Sequence, residues 1–239
     1  MIKRYLLSPG PTPIPNEVTT AMSETIIHHR TPEFTKVLNE ARAGLKSLFG
    51  TQSDVLILAS SGTGAMEGAV SNLFSPGDKV LVVNGGKFGE RWLQIAHAFG
   101  LKPVEIKVEW GKAVRIETVE SALKEHPDSQ GILIQFSETS TTTLHPVREI
   151  ARLTRSGPLL VVDGVTAVGA LPVPMDEWGI DALVTGSQKA LMLPPGLGFV
   201  ALSDRAWARV DKTRSPRFYF DLKLERKNQQ KGSTAFTPA

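Results

Sequence analysis

One lysine lies where lysines are uncommon, directly after a short apolar stretch of strand length. Lys189 belongs to segment 185–191 (TGSQKAL), which follows the apolar residues 182–184. An ammonium group that loses its water also loses part of its preference for the charged form. A neutral amine attacks aldehydes, which is how Schiff-base lysines arise. The alternative is that Lys189 is a surface lysine without a functional role, on a loop that follows a strand.

A small polar and glycine-rich turn stands after another apolar stretch. Residues 61–64 (SGTG) separate the apolar residues 55–59 from a helical pattern. Such a turn offers backbone N–H groups and hydroxyls to a phosphate at a helix N-terminus. The turn matches neither the Walker motif nor the dinucleotide fingerprint. The alternative is a tight turn that ends in a helix cap.

Three further side chains follow other apolar stretches. Asp163 ends the run 159–162, and a carboxylate at that position needs a cation or several donors if it is buried. Phe88 lies in a glycine-rich loop, and Thr139 lies in a polar loop at 137–141. The alternatives are a helix cap for Asp163, a core position for Phe88 and an ordinary turn residue for Thr139.

The elements that must position these residues alternate along the chain. Apolar runs of strand length are separated by segments with helical periodicity, which predicts a mainly parallel sheet with helices on both faces. We therefore predict an α/β fold of three layers, α/β/α, around a seven-stranded sheet, with strands near 55–59, 80–83, 104–108, 132–134, 159–162, 182–184 and 199–202. Ligands bind at the carboxyl ends of such strands, so the residues considered above are expected to meet.

Taken together, these residues predict a particular cofactor. The turn at 61–64 would hold a phosphate, Asp163 would pair with a ring nitrogen, Phe88 would stack on a ring and Lys189 would bond an aldehyde. Asp163 and Lys189 are 26 residues apart, which allows one crossover between neighbouring strands. A cofactor with all four features is pyridoxal 5'-phosphate.

Composition excludes several other classes of protein. The chain has 239 residues, a net charge of +3 and no cysteine, so we expect no disulfides, no cysteine-based metal site and no thiol nucleophile. The adjacent His28 and His29 lack the spacing of metal ligands on a helix, and we predict no metal site. The basic run 223–231 is interpreted as a solvated face rather than a nucleic-acid surface. Without a membrane-spanning run or a signal peptide, we expect a cytoplasmic protein with no membrane or nucleic-acid partner.

Six segments in a fixed order carry a family resemblance over nearly the whole chain. They are 8–12 (SPGPT), 29–34 (HRTPEF), 61–67 (SGTGAME), 138–141 (ETST), 162–165 (VDGV) and 186–191 (GSQKAL). In these segments the chain resembles the class V aminotransferases of fold type I, in particular the alanine–glyoxylate and serine–pyruvate aminotransferase branch. The resemblance implies a homodimeric enzyme that moves the amino group of alanine or serine to glyoxylate or pyruvate.

The resemblance also implies roles for individual residues. Lys189 would form the Schiff base with the cofactor and shuttle a proton, and Asp163 would pair with the pyridine nitrogen. Phe88 would stack on the ring, Thr139 would lie near its phenolic oxygen, and Gly10 would line the substrate pocket. The residues that would hold the phosphate are Ser61, Gly62, Thr63 and Gln188.

The chain departs from the family pattern in two ways. Thr142 stands where the family usually has glycine, which we expect to narrow or reshape the site. Family members also carry a C-terminal domain that supplies an arginine for the substrate carboxylate, and we expect that domain to be absent here. The predicted organisation is an N-terminal arm (1–20), a cofactor-binding domain (21–215) and the start of a connection (216–239). Thr234 and Thr237 are candidates to reach a neighbouring subunit's phosphate.

Other functions remain open from the sequence. A different reaction of the same cofactor, such as that of a lyase, is the enzymatic alternative. A cysteine desulfurase is disfavoured because the chain has no cysteine to carry sulfur. A cofactor-binding subunit without turnover and a plain nucleotide-binding domain are the remaining alternatives.

Overall fold

The computed structural model describes residues 6–237. The first five residues of the predicted arm and the last two residues of the chain lie outside the described residues. Seven strands form one sheet in the order β1-β9-β8-β7-β4-β2-β3, and two short strands form a separate hairpin. The strands are β1 Val55–Ala59, β2 Lys79–Asn84, β3 Lys102–Lys107, β4 Gly131–Gln135, β5 Ser137–Glu138, β6 Thr143–Leu144, β7 Leu159–Asp163, β8 Ala182–Gly186 and β9 Leu197–Leu202.

The sheet is mainly parallel, as predicted. Only β9 runs against its neighbours, β1 and β8, while the other neighbouring strands pair in parallel. Residues 187–196 join β8 to β9 without a helix. A parallel pairing needs a crossover of about a dozen residues or more, so this short connection favours the antiparallel direction of β9.

Helices cover both faces of the sheet. They are α1 Asn16–Met22, α2 Pro32–Phe49, α3 Gly62–Leu73, α4 Lys87–Ala98, α5 Ile116–Glu125, α6 Val147–Thr154, α7 Met175–Trp178, α8 Asp204–Val210 and α9 Leu222–Gln230. One apolar core lies between the sheet and α3, α4 and α8, and the other lies between the sheet and α2, α5 and α6. The predicted three-layer α/β/α fold is therefore confirmed. No helix within residues 6–237 combines the length and apolar character needed to cross a bilayer.

Helix α3 begins three residues earlier than its apolar periodicity predicts. The periodicity starts at Ala65, but the first helical residue is Gly62. Ser61 is the N-cap, and its hydroxyl accepts a hydrogen bond from the Gly64 N–H at 3.4 Å. The polar turn is thus the first turn of the helix, and its N–H groups point out of the helix end.

The basic run 223–231 lies mostly in α9 and has two different faces. Its lysines Lys223, Lys227 and Lys231 are exposed, as expected of a solvated face. On the other face Glu225 and Gln229 are buried, and the Gln229 side chain bonds the backbone of Ile57 in β1. The sequence did not predict this buried polar face.

Candidate active site

The carboxyl ends of β7 and β8 meet the N-terminal turns of α3 and α4 around one cavity. Its volume is about 210 Å³. The cavity is lined by Ser61, Gly62, Thr63, Met66, Phe88, Arg91, Asp163, Val165, Gln188 and Lys189. Seven of the predicted site residues are therefore brought together, although they come from four separate segments of the chain.

Two other concavities on the described surface have a different character. An apolar groove of about 220 Å³ includes Phe34, Tyr219 and Phe236 in its wall. A charged cleft of about 610 Å³ lies beside the amino end of β8, where Asp181 bonds the Ser203 hydroxyl and pairs with Arg205. The described lining of the apolar groove contains no lysine. In the charged cleft Lys46 pairs with Asp54, and the buried Asp181 is already bonded to Arg205 and to the Ser203 hydroxyl. We therefore assign the chemistry to the cavity around Lys189.

Close glycine packing brings the β8 turn against the start of α3. A Cβ atom on Gly62 would lie 2.7 Å from Val165 Cγ2, and one on Gly186 would lie 2.8 Å from Gln188 Oε1 and 3.3 Å from Gly62 N. Gln188 Oε1 is buried and has no hydrogen-bond partner among the described residues. The end of α3 and the hydroxyls of Ser61 and Thr63 thus form a polar cradle suited to an anion.

Asp163 is the buried acid of the cavity. It is 4% exposed, and its Oδ1 accepts a hydrogen bond from Val165 N at 2.8 Å. Burial raises the pKa of Asp163 from 3.8 to about 6. The hydrogen bond from Val165 N–H lowers this pKa, and so do the charges of Arg91 and Lys189. The charge of Glu138 raises the pKa further. A carboxylate in this position favours a cationic ligand atom beside it.

Lys189 is partly buried and held by the N-terminal arm. Burial lowers the pKa of Lys189 below its usual 10.5, and the nearby charge of Asp163 acts against this effect. Thr12 N donates to the Gln188 carbonyl at 3.1 Å, and the Thr12 hydroxyl donates to the Lys189 carbonyl at 3.0 Å. A Cβ on Gly10 would lie 2.4 Å from Lys189 Cδ. The arm therefore lies directly against the lysine, while a place for Gly10 in a substrate pocket stays a prediction.

Phe88 lies in the first turn of α4, which is held by a buried glutamate. Glu138 is fully buried, and its Oε2 accepts hydrogen bonds from Phe88 N and Gly89 N, each at 3.1 Å. Its Oε1 accepts from the Ser140 hydroxyl at 2.5 Å. A Cβ on Gly86 would lie 2.5 Å from Glu138 Cδ, so only glycine leaves room for the carboxylate. The sequence analysis assigned no role to Glu138.

Thr139, which was predicted to lie near the cofactor's phenolic oxygen, does not line the cavity. Its hydroxyl instead shares a hydrogen bond with the Thr166 hydroxyl at 2.9 Å. Thr142 also lies outside the cavity lining, and it is exposed in the β5–β6 turn. Its φ of 55° is in the left-handed region, which β-branched residues rarely adopt. A backbone of this kind favours glycine, which explains why Thr142 is an unusual residue for this turn.

Thr234 and Thr237 lie away from Lys189. Both line the apolar groove next to Phe236. Within residues 6–237 no group of three or more histidine and acidic side chains is arranged to hold a metal ion. The remaining lining residues that the sequence analysis did not identify are Met66, Arg91 and Val165.

Relatives share both the sequence and the fold of this chain. It is 42% identical over 240 residues to the small subunit of a soluble hydrogenase from a Synechococcus strain, covering 99% of this chain and 62% of that protein. An aspartate aminotransferase of subgroup IV from Thermus thermophilus matches with a TM-score of 0.91 and 40% identity, over 99% of this chain and 66% of the other. An alanine–glyoxylate aminotransferase from Nostoc sp. matches with a TM-score of 0.94 and 30% identity, over 100% and 64%.

The matched relatives are longer than this chain, which spans about 62% of the curated protein just described. The family model for class-V aminotransferases matches residues 4–228. That match covers most of the chain, including every residue that lines the cavity. The chain belongs to the class-V aminotransferase family.

Proposed function

We propose that this chain forms the cofactor-binding part of a pyridoxal-phosphate-dependent aminotransferase. The observation that carries the proposal is the shared cavity of Lys189 and Asp163. A partly buried amine and a buried carboxylate lie there beside the N-terminus of α3. Few cofactors need an amine, a carboxylate and an anion cradle within one small cavity.

The residues of the cavity fit pyridoxal phosphate. Ser61, Thr63 and the first N–H groups of α3, starting at Gly62, would hold the phosphate. The side-chain NH₂ group of Gln188, which also lines the cavity, would donate to it. Phe88 would stack on the ring, and Asp163 would pair with its nitrogen. Thr139 is proposed to approach the phenolic oxygen from its position beside Thr166.

The chemistry divides between the cofactor and the chain. Bound pyridoxal phosphate supplies an aldehyde that can take up an amino group and a ring that can accept electrons. Asp163 would stabilise positive charge at the ring nitrogen. Lys189 Nζ would hold the aldehyde end and later carry a proton, which its lowered pKa favours. The arm at Gly10 and Thr12 would limit the positions available to that side chain.

The amino donor and acceptor belong to the proposal as well. We propose alanine or serine as donor and glyoxylate or pyruvate as acceptor, supported by the alanine–glyoxylate aminotransferase among the matched structures. Aspartate is the competing donor, because another matched structure is an aspartate aminotransferase. We further propose a homodimer in which Thr234 and Thr237 face the neighbouring subunit, a binding domain spanning 21–215 and a connection from 216.

Amino transfer itself is the test of this function. The protein is incubated with pyridoxal phosphate, glyoxylate and either alanine, serine or aspartate, and glycine formation is followed. We expect glycine from alanine or serine, and none with Lys189→Ala. Continuous release of pyruvate and free ammonia from serine, with no glycine formed, would favour a lyase. Binding of the cofactor without turnover would favour a cofactor-binding subunit.

A further inference from the structure

Arg91 is the charged lining residue for which neither the family resemblance nor the mechanism above provides a role. It lies in α4, three residues after Phe88, so both side chains lie on the same side of the helix. The guanidinium carbon Cζ lies 4.8 Å from the centre of the Phe88 ring. Arg91 Nη1 also donates to the Thr63 hydroxyl at 3.1 Å. One side chain thus joins the proposed stacking ring to the proposed phosphate cradle.

Arg91 also contributes charge to the cavity. It shares the lining with Asp163 and Lys189. A guanidinium keeps its charge at all pH values at which proteins fold, whereas the Lys189 amine is the group proposed to react. Arg91 is therefore the permanent cation of the cavity, and Lys189 is a variable one. Glu138 is buried behind the first turn of α4. Its effect on the pKa of Asp163 is opposite to the effects of Arg91 and Lys189.

We propose that Arg91 is a positioning residue of the cofactor site, which fixes Phe88 and the Thr63 hydroxyl and places a positive charge in the lining that it shares with Asp163. This inference rests on the proposed function, because the three groups it acts on are those proposed to hold the cofactor. The planar guanidinium suits the double task, since it can lie over an aromatic face while its N–H groups bond elsewhere. A lysine would keep the charge but not this geometry.

The same helix offers a matched control. Lys87 lies four residues before Arg91, and its Nζ lies 5.3 Å from the centre of the Trp110 ring. Its side chain is 62% exposed and pairs with Glu90 at 2.8 Å. Lys87 is absent from the cavity lining. Replacing it by methionine therefore removes a cation and a cation–π contact from α4 without touching the site.

The first readout is cofactor affinity. Dissociation constants of pyridoxal phosphate and of phosphate-free pyridoxal are measured for wild type, Arg91→Met, Arg91→Lys and Lys87→Met. Losing the contacts with Phe88 and Thr63 should weaken binding of pyridoxal phosphate by Arg91→Met about tenfold. Arg91→Lys should recover only part of that loss. Lys87→Met should bind as wild type does.

The second readout needs no cofactor. The Asp163 carboxyl is titrated by ¹³C NMR in the cofactor-free full chain, with its signal assigned from Asp163→Asn. The titration midpoint of Asp163 should rise in Arg91→Met, because that variant removes the nearby cation. The midpoint should rise less in Arg91→Lys and should not change in Lys87→Met. Circular dichroism checks that each variant is folded. If Arg91→Met does not fold, the affinity and the Asp163 midpoint of Arg91→Lys decide whether Arg91 has this role.

The outcomes separate this inference from the proposed function. Wild-type affinity together with an unchanged Asp163 midpoint in Arg91→Met would overturn the role of Arg91 and leave the cofactor assignment intact. Failure of the wild type to bind pyridoxal phosphate would overturn the proposed function. In that case the Asp163 midpoint still tests the electrostatic effect of Arg91, and an unchanged midpoint would refute it.

Discussion

Asp163 couples the candidate site to the stability of the cofactor-free protein. Its pKa is about 6 in the folded chain, against an ordinary value of 3.8. A raised pKa in the folded state contributes stability that is complete below pH 3.8 and is lost as the pH rises through 6. The cofactor-free protein should therefore lose stability over this window because of Asp163.

Asp163→Asn should remove this dependence. Since each pKa unit corresponds to about 1.4 kcal/mol, the wild type should lose on the order of 2 kcal/mol relative to the variant between pH 4 and 6. Urea unfolding of both cofactor-free proteins at several pH values measures the difference. Parallel curves for the two proteins would contradict the assigned burial of the carboxylate.

Thr142 offers a second test on a single residue. Its left-handed backbone should cost about 1–2 kcal/mol, of which glycine recovers part after its own entropy cost. Thr142→Gly should therefore raise the free energy of unfolding by about 0.5–1 kcal/mol. Thr142→Ala keeps the Cβ and should give no such gain. An equal gain in both variants would point to the hydroxyl rather than to the backbone.

At the residue scale, the sequence predicted which residues form the candidate site better than it predicted the contacts between them. Lys189, Asp163 and the turn at Ser61 follow apolar runs, so the rule that strand ends carry ligands identified them. Arg91 lies within a helix, and its role depends on the spacing from Phe88 and on the distant Thr63. Contacts between residues so far apart in the chain leave no local pattern to recognise.

The first turn of α4 depends on Glu138. The carboxylate accepts hydrogen bonds from Phe88 N, Gly89 N and the Ser140 hydroxyl in a fully buried position. Glu138→Gln places an NH₂ group against one set of donors, so it should destabilise the protein by about 1–3 kcal/mol. Glu90→Gln changes an acid on the same turn that is more exposed, and it should cost under about 1 kcal/mol. Equal urea midpoints for the two variants would refute this role of Glu138.

Helix α9 protects the open edge of the sheet. Among the strands of residues 6–237, β1 pairs only with β9. Gln229 accepts a hydrogen bond from Ile57 N at 3.2 Å and donates to the Ile57 carbonyl at 2.7 Å. Gln229→Leu should therefore lower the free energy of unfolding by about 1–3 kcal/mol. The exposed neighbour Lys227 provides the control, and Lys227→Ala should stay within about 0.5 kcal/mol. A loss no larger than that of the control would mean that Gln229 does not support β1.

At the element scale, the sequence predicted the seven strands of the main sheet but not the helices α7, α8 and α9. Helix α2 ends before Gly50, which adopts a left-handed φ of 58°. The basic run in α9 does not reveal that Gln229 reaches β1, because the pattern of charges conceals two buried polar residues. The hairpin β5–β6 is also too short to carry an alternation of its own.

The whole molecule brings distant polar residues to one edge of a buried sheet. Asp163 follows β7 and Lys189 follows β8, and these strands are parallel neighbours. Since parallel strands end at the same edge, the alternation of strands and helices was enough to predict that both residues approach the same ligand. The direction of β9 and the packing of the arm against Lys189 required the three-dimensional structure.

The most direct test of the account concerns Lys189 as the anchor of pyridoxal phosphate. The wild type, Lys189→Ala and Lys87→Ala are incubated with the cofactor and freed of excess, and their absorbance spectra are recorded. We expect a visible band in the wild type and Lys87→Ala that Lys189→Ala lacks, and borohydride should fix the cofactor on the peptide that contains Lys189. A band that persists in Lys189→Ala, or no band in the wild type, would contradict the account.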